Sequence, residues 1–163
     1  APDESTQTQA QRDKPFQRRL SAILQAETEA RQASTVLEKT LPKGHRNLAP
    51  AYVSLGRALM KNGKLAEAET YLRQGLDIHV KRSGSEDRSS AVAESSLGEC
   101  LALQKRYAAA EPLLKHGYEV LQTNLGSQDW TTVESLKRLV SLYEKWTKPE
   151  EAASYRAKLQ VAK

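Results

Sequence analysis

The 163-residue chain is long enough for one domain, and a hydrophobic share of 39% can supply a core if the surface is economically patterned. With 6% aromatic residues and a mean hydropathy of −0.65, it has no apolar run that could cross a membrane as a helix, so no membrane insertion is expected. The net charge of +5 combines 25 basic residues with 20 acidic ones, and the basic pairs Lys81-Arg82, Lys105-Arg106 and Lys137-Arg138 each have Glu or Asp nearby. That interleaving reads as solvated helix faces and not as a phosphate-binding stripe: no specific nucleic-acid binding is expected, and an acidic protein partner is the milder reading.

The chain starts at Ala1, and Met60 is its single methionine. Ala1 therefore reads as a cut end, and the expected compartment is cytoplasmic, or periplasmic or secreted if a signal peptide preceded it. Residues 1–14 are almost all polar and cannot bury enough apolar surface to offset ordering, which predicts a disordered or weakly ordered tail. Pro15 marks a helix start. From Phe16 to Leu41 no Gly or Pro intervenes, and Phe16, Leu20, Ile23, Leu24, Ala30, Leu37 and Leu41 recur at three- and four-residue steps. Residues 15–41 are thus expected to form one long amphipathic helix, either an N-terminal cap or half of a truncated repeat. Pro42 and Gly44 end it.

The stretch from Tyr52 to Ile78 is then written again from Glu94 to Val120. Leu55-Gly56 returns as Leu97-Gly98, Leu59 as Leu101, Ala68 as Ala110, Leu72 as Leu114 and Gly75 as Gly117, each 42 residues later. A third copy has Leu139, Tyr143, Ala152 and Leu159 at the matching positions but Val140 for the glycine and Arg156 for the leucine. A fixed period of this size marks stacked repeats. The expected domain is 45–163, with repeats over about 48–82, 89–124 and 130–160. Each copy reads as helix, turn, helix: Gly63 supplies a left-handed turn residue, Gly84 and Gly126 close second helices, and Asp87, Ser89, Asp129 or Thr131 can cap the next helix. Gly56 against Ala68, and Gly98 against Ala110, let the paired helices approach closely. Trp146 and Tyr155 are expected to cover the C-terminal end.

The pattern Tyr52-x2-Leu55-Gly56-x2-Leu59, followed by Ala68-x3-Leu72 and Gly75, resembles the tetratricopeptide repeat, a helix-turn-helix unit of about 34 residues. The period of 42 is longer by about two helical turns and resembles the repeats of kinesin light chains and of many bacterial signalling proteins. His45-x2-Leu48-Ala49 is similar to their inter-repeat signature, and the segment from Arg138 through Pro149-Glu150-Glu151-Ala152 to Leu159 is similar to the closing segment of bacterial members, some with a kinase domain upstream. The resemblance implies an all-α fold, a right-handed α-solenoid that binds a peptide or protein segment in its concave groove. The paired groove asparagines of many long-repeat relatives are replaced here by Val53-Ser54, Ser95-Ser96 and Lys137-Arg138, so the resemblance carries no asparagine clamp.

The residues of the first helices pointing away from the seam are the groove candidates: Val53, Arg57, Met60 and Lys61, then Ser95, Glu99 and Leu103, then Lys137, Arg138, Ser141 and Lys145. Nothing points to an enzyme. His45, His79 and His116 share no helix turn, Lys61-Asn62-Gly63-Lys64 lacks the spacing of a phosphate loop, and no nucleophile-base or paired-carboxylate set can be assembled. No cofactor and no metal are expected. Cys100, in a helical pattern, reads as a small core residue and not a reactive thiol. The expected function is a non-catalytic interaction scaffold; the alternative is an oligomerisation or assembly element of a larger, kinase-containing bacterial protein, with homo-oligomer contacts through residues 16–41.

Overall fold

Apolar residues at helical spacing, broken by glycine at fixed intervals, leave the chain one kind of element to build. The computed structural model describes residues 9–161, and within them the chain forms seven helices: α1 (Gln9–Thr40), α2 (Leu48–Lys61), α3 (Leu65–Ser83), α4 (Arg88–Leu103), α5 (Tyr107–Leu125), α6 (Trp130–Lys145) and α7 (Pro149–Val161). Each packs on the next, and α2 touches α4 while α4 touches α6. Among the described residues the backbones of the odd-numbered helices do not come so close to one another; they meet through long side chains, as Arg31 meets Glu67 and Tyr118 meets Tyr155. Hence α2, α4 and α6 form an inner layer and α1, α3, α5 and α7 an outer one, the two-layer arrangement of a helical solenoid.

The period exists because two approaches must stay clear. A Cβ at Gly56 would lie 2.6 Å from Leu72 Cγ, and one at Gly98 would lie 2.6 Å from Leu114 Cγ. The second glycine of each hairpin faces the other way: a Cβ at Gly75 would meet Val53 Cγ2 at 2.8 Å, and one at Gly117 the carbonyl oxygen of Ala91 at 2.9 Å. Leucines 55, 59, 72, 97, 101, 114, 136 and 139 fill the remaining seam and are fully buried. Asp87 and Asp129 cap α4 and α6 as expected, each accepting from the backbone N–H two residues on, at 2.7 and 2.8 Å.

The turn inside each hairpin needs one left-handed residue, and the period places it at Gly63 (φ 73°), Lys105 (φ 62°) and Thr147 (φ 56°). Only the first copy meets that demand with glycine. A lysine, and still more a β-branched threonine, is strained there.

At the N-terminus the structure departs from the expected boundaries. α1 begins at Gln9, six residues ahead of Pro15, so residues 9–14 of the expected tail are helical, and the rest of that expectation, for residues 1–8, lies outside the described residues. Pro15 stands inside α1 and removes one intrahelical donor, a cost that the helix formers Gln9, Ala10, Gln11 and Arg12 offset in part. The stripe of Glu27, Ala30, Ser34 and Leu37 packs on the body, and Leu37 meets the cluster of Leu48, Ala49 and Ile78. The same stripe continues upstream through Leu20 and Phe16, which are 41% and 65% exposed, because α2 ends at a turn and offers nothing further to pack on.

A candidate peptide-binding inner face

Exposed positions on the inner helices follow a 4-3-4 step. On α2 they are Pro50, Ser54, Arg57 and Lys61; one period later α4 presents Val92, Glu99 and Leu103, while Ser96 at the remaining position is buried and donates to Val92 O at 2.9 Å, and α6 presents Glu134, Arg138, Ser141 and Lys145. These three rows lie side by side because α4 is flanked by α2 and α6.

Seven of the eleven candidate residues fall on those rows: Arg57, Lys61, Glu99, Leu103, Arg138, Ser141 and Lys145. Lys137, on α6, is also exposed. Three require correction. Val53 is buried against Gly75, and Ser95 is fully buried over Gly117, because each stands where the second helix of its hairpin crosses closest. Met60 packs against the main core cluster and is half-buried. In the third copy the crossing glycine is replaced by Leu159 and the equivalent Lys137 stays in solvent.

The charges differ from row to row. Arg57 and Lys61 make no ion pair with any described residue, nor does Lys145. In the centre, Arg138 lies across α4, with Nε 2.6 Å from Glu99 Oε2 and a guanidinium N–H donated to Ser95 Oγ at 3.1 Å; Ser95 Oγ in turn bonds Ser135 Oγ at 3.2 Å. Lys137 pairs with Glu134 at 2.6 Å. The face is therefore cationic at its ends and self-neutralised in the middle. Sequence reading missed Ser54, Pro50 and Val92, which the 4-3-4 step alone would have found.

Cys100 is fully buried, its Sγ donates to Leu65 O at 3.4 Å, and burial pushes the thiol above its ordinary range, which fits a core residue. Among the described residues no cluster of His, Cys, Asp or Glu could hold a metal ion, and no helix is long and apolar enough to cross a membrane.

A two-layer stack of hairpins with close glycine crossings and an open inner face defines a helical-repeat solenoid. Residues 47–123, which hold the two glycine-bearing hairpins almost entirely, match the family model of the tetratricopeptide repeat. Solved structures agree on the fold. BtubC (BKLC) from P. vanneervenii superposes with a TM-score of 0.74 at 17% identity, over 91% of this chain and 59% of that one. A Podosopora anserina protein of kinesin-light-chain type, with nearly identical TPR-like repeats, gives 0.68 in one form (23% identity, 86% of this chain and 66% of that one) and 0.65 in another (22% identity, the same coverage). The chain thus spans less than two thirds of the length of these structures. No curated protein matches it.

Proposed function

We propose that the chain is a non-catalytic recognition scaffold that lays a peptide segment across α2, α4 and α6, with its charge contacts at the ends of that face. Tetratricopeptide repeats generally mediate protein–protein interaction. The observation that carries the finer reading is that Arg57, Lys61 and Lys145 lack ion-pair partners among the described residues while Glu99, Arg138, Glu134 and Lys137 are already engaged with one another. Free cations at the two ends favour a segment with acidic residues spaced to reach them, over a small middle lined by Ser54 and Ser141. The test is fluorescence anisotropy with extended peptides of graded charge, comparing the wild type with Arg57→Glu/Lys61→Glu. Acidic peptides should lose at least about tenfold in affinity, with binding weakening as salt rises. Equal binding by the double variant removes the inner-face assignment. Arg138 is a poor probe because its removal also strips Ser95 and Glu99 of a partner.

A second reading rests on a separate observation. Phe16, Leu20 and Leu24 stand exposed on the overhanging half of α1, which favours self-association through that helix. Light scattering of the wild type against Phe16→Ser/Leu20→Ser/Leu24→Ser should show a larger species only for the wild type; monomers in both would discard this reading.

A further inference from the structure

Two adjoining hollows open where the end of α3 meets the starts of α2 and α4. One, of about 390 Å³, is lined by Arg46, Asn47, His79, Arg82, Ser83 and Ser89 over Pro50 and Ile78. The other, of about 340 Å³, adds Arg88 and runs over Val53, Ser54 and Val92. They share Pro50, His79 and Ser89 and so form one trough. We infer that this trough is a binding site for a phosphate monoester carried on a peptide.

Three guanidinium groups line the trough, and none makes an ion pair with a described residue. The acids around it are committed elsewhere. Asp87 accepts from Ser89 N at 2.7 Å, Glu86 is held by His116 and Ser85, Asp77 pairs with Lys81 at 2.7 Å, and Asp129 caps α6. The helix end contributes nothing itself. Leu48 N and Ala49 N are already donated to His45 O and Arg46 O, and Pro50 has no N–H. The side chain of Asn47, at the start of α2, makes no capping bond and remains available. Burial holds the His79 imidazole below its ordinary value, so near neutrality it is uncharged and can either donate to a phosphate oxygen or accept from a P–OH.

The chemistry separates candidate ligands. Three guanidinium forks, with an amide, three hydroxyls and an imidazole in the same trough, offer more donors than one carboxylate can accept but suit a three-oxygen dianion. No Phe, Tyr or Trp lines the trough, so bases would have no large ring to stack on, and the cations are confined to the two hollows instead of following a duplex backbone. The apolar floor of Pro50, Val53, Ile78 and Val92 suits the peptide that carries the phosphate. Arg57, Lys61 and Lys145 take no part, so this site stands whether or not the inner face binds a segment.

Amide NMR of the full chain, titrated with inorganic phosphate, a short phosphoserine peptide, its serine and glutamate counterparts and a short DNA duplex, tests this directly. Saturable shifts should appear at Arg46, Ser83 and Ser89 with phosphate, and at lower concentration with the phosphopeptide. The serine and glutamate peptides should bind at least about tenfold more weakly, and Arg46→Gln/Arg82→Gln should weaken the phosphopeptide by a similar factor, while Arg57→Glu/Lys61→Glu leaves these shifts unchanged. All the substituted positions are exposed, and matching circular dichroism spectra establish that the variants fold. The assignment is overturned if the shifts scatter over all basic residues, persist unchanged in Arg46→Gln/Arg82→Gln, are matched by the glutamate peptide, or are produced more tightly by the duplex. Loss of inner-face binding with these shifts retained sinks the groove reading alone.

Discussion

The two ends of the solenoid are closed by opposite chemistries. At the N-terminal end α1 is fastened by charge: Glu27, 5% exposed, accepts from Lys64 Nζ at 2.7 Å, Arg31 Nε at 2.9 Å and Asn62 Nδ2, while Arg31 makes a two-pronged bond to Glu67 at 2.6 and 2.8 Å. At the C-terminal end the rings do the fastening. Tyr143, fully buried, lies parallel to Tyr155 and Trp146 at 5.5 and 6.4 Å, Trp146 stacks on Tyr107 at 5.9 Å, and Tyr118 meets Tyr155 edge-on. Lys148 and Lys158 lie over Trp146 and Tyr155. The difference teaches that a terminal helix can be held either by surface removed from water or by a satisfied polar network, and the two respond to different conditions. The aromatic end depends less on salt and mild acid than the charged end does, since only its Tyr143–Glu111 bond and the lysines over its rings bring charge into it.

The largest expected effect comes from breaking the aromatic end. Tyr143→Ala removes the centre of the stack and strips Glu111 of its 2.6 Å partner, at a cost of about 3–5 kcal/mol. The measurement is chemical denaturation, with Tyr143→Phe as the companion. Phenylalanine keeps the stack and loses only the hydrogen bond, so it should cost about 1–3 kcal/mol. Equal losses would mean that the hydrogen bond and not the stacking holds α7.

Next comes the charged end. Lys64, Asn62 and Arg31 hold the Glu27 carboxyl well below its usual range, at about 2. A carboxyl depressed in the fold stabilises it above its unfolded value of 4.5, and that contribution is lost as pH falls from 4.5 towards 2. Acid should therefore release α1 before it disturbs the stack. Trp130 is 66% exposed, so in Trp130→Phe the remaining Trp146 reports on the C-terminal end alone. Helical signal should fall at a pH where Trp146 emission is still native, and Glu27→Gln should move the first change towards neutral pH. One coincident transition for both probes would contradict two independently closed ends.

How much of this contrast was legible in the sequence depends on how far apart the partners lie. Gly56, Gly75, Gly98 and Gly117 announced the fold because a close crossing accepts almost nothing else, and the same constraint repeats every 42 residues. The rings at 146 and 155 were readable as an end cover because they fall in the terminal copy, whereas Tyr143 read only as a position of the repeat. Glu27 was not: its partners Asn62 and Lys64 lie 35 and 37 residues away and belong to a turn, and nothing in helical periodicity distinguishes a carboxylate that will be buried from one that will not. Val53 and Ser95 misled for another reason. They were read as pointing away from the seam, as Lys137 does at the same position of the period; instead Gly75 and Gly117 cross over the first two while Leu159 stands at the third.

A smaller effect separates the turns beside the two ends. Gly63, next to the Glu27 network, takes its left-handed conformation freely, whereas Thr147, next to Trp146, holds φ 56° against its β-branched side chain. Thr147→Gly should relieve strain and raise stability by about 1 kcal/mol, less the entropy that glycine returns to the unfolded chain. Gly63→Thr should do the reverse. A stabilised Gly63→Thr protein would show that the turn, and not the residue in it, adapts.

The smallest effect tests whether charge fastening is peculiar to the N-terminal end. His116, in the middle hairpin, has Nδ1 2.6 Å from Glu94 Oε2 and Nε2 3.1 Å from Glu86 Oε1, and these carboxylates, Glu94 foremost, raise its pKa above 6.5. A histidine raised in the fold stabilises it fully below the unfolded value, and the contribution disappears as pH rises through the folded one, so the window opens at 6.5 and extends upward. This sign is opposite to that of Glu27. His116 is about one third exposed, which screens the interaction and keeps the effect small. Thermal denaturation should show Tm drifting down between slightly acidic and slightly alkaline pH in the wild type, with that drift flattened in His116→Asn. If His116→Asn drifts as the wild type does, the bridge from α5 to α4 carries no stability, and charge fastening is confined to α1.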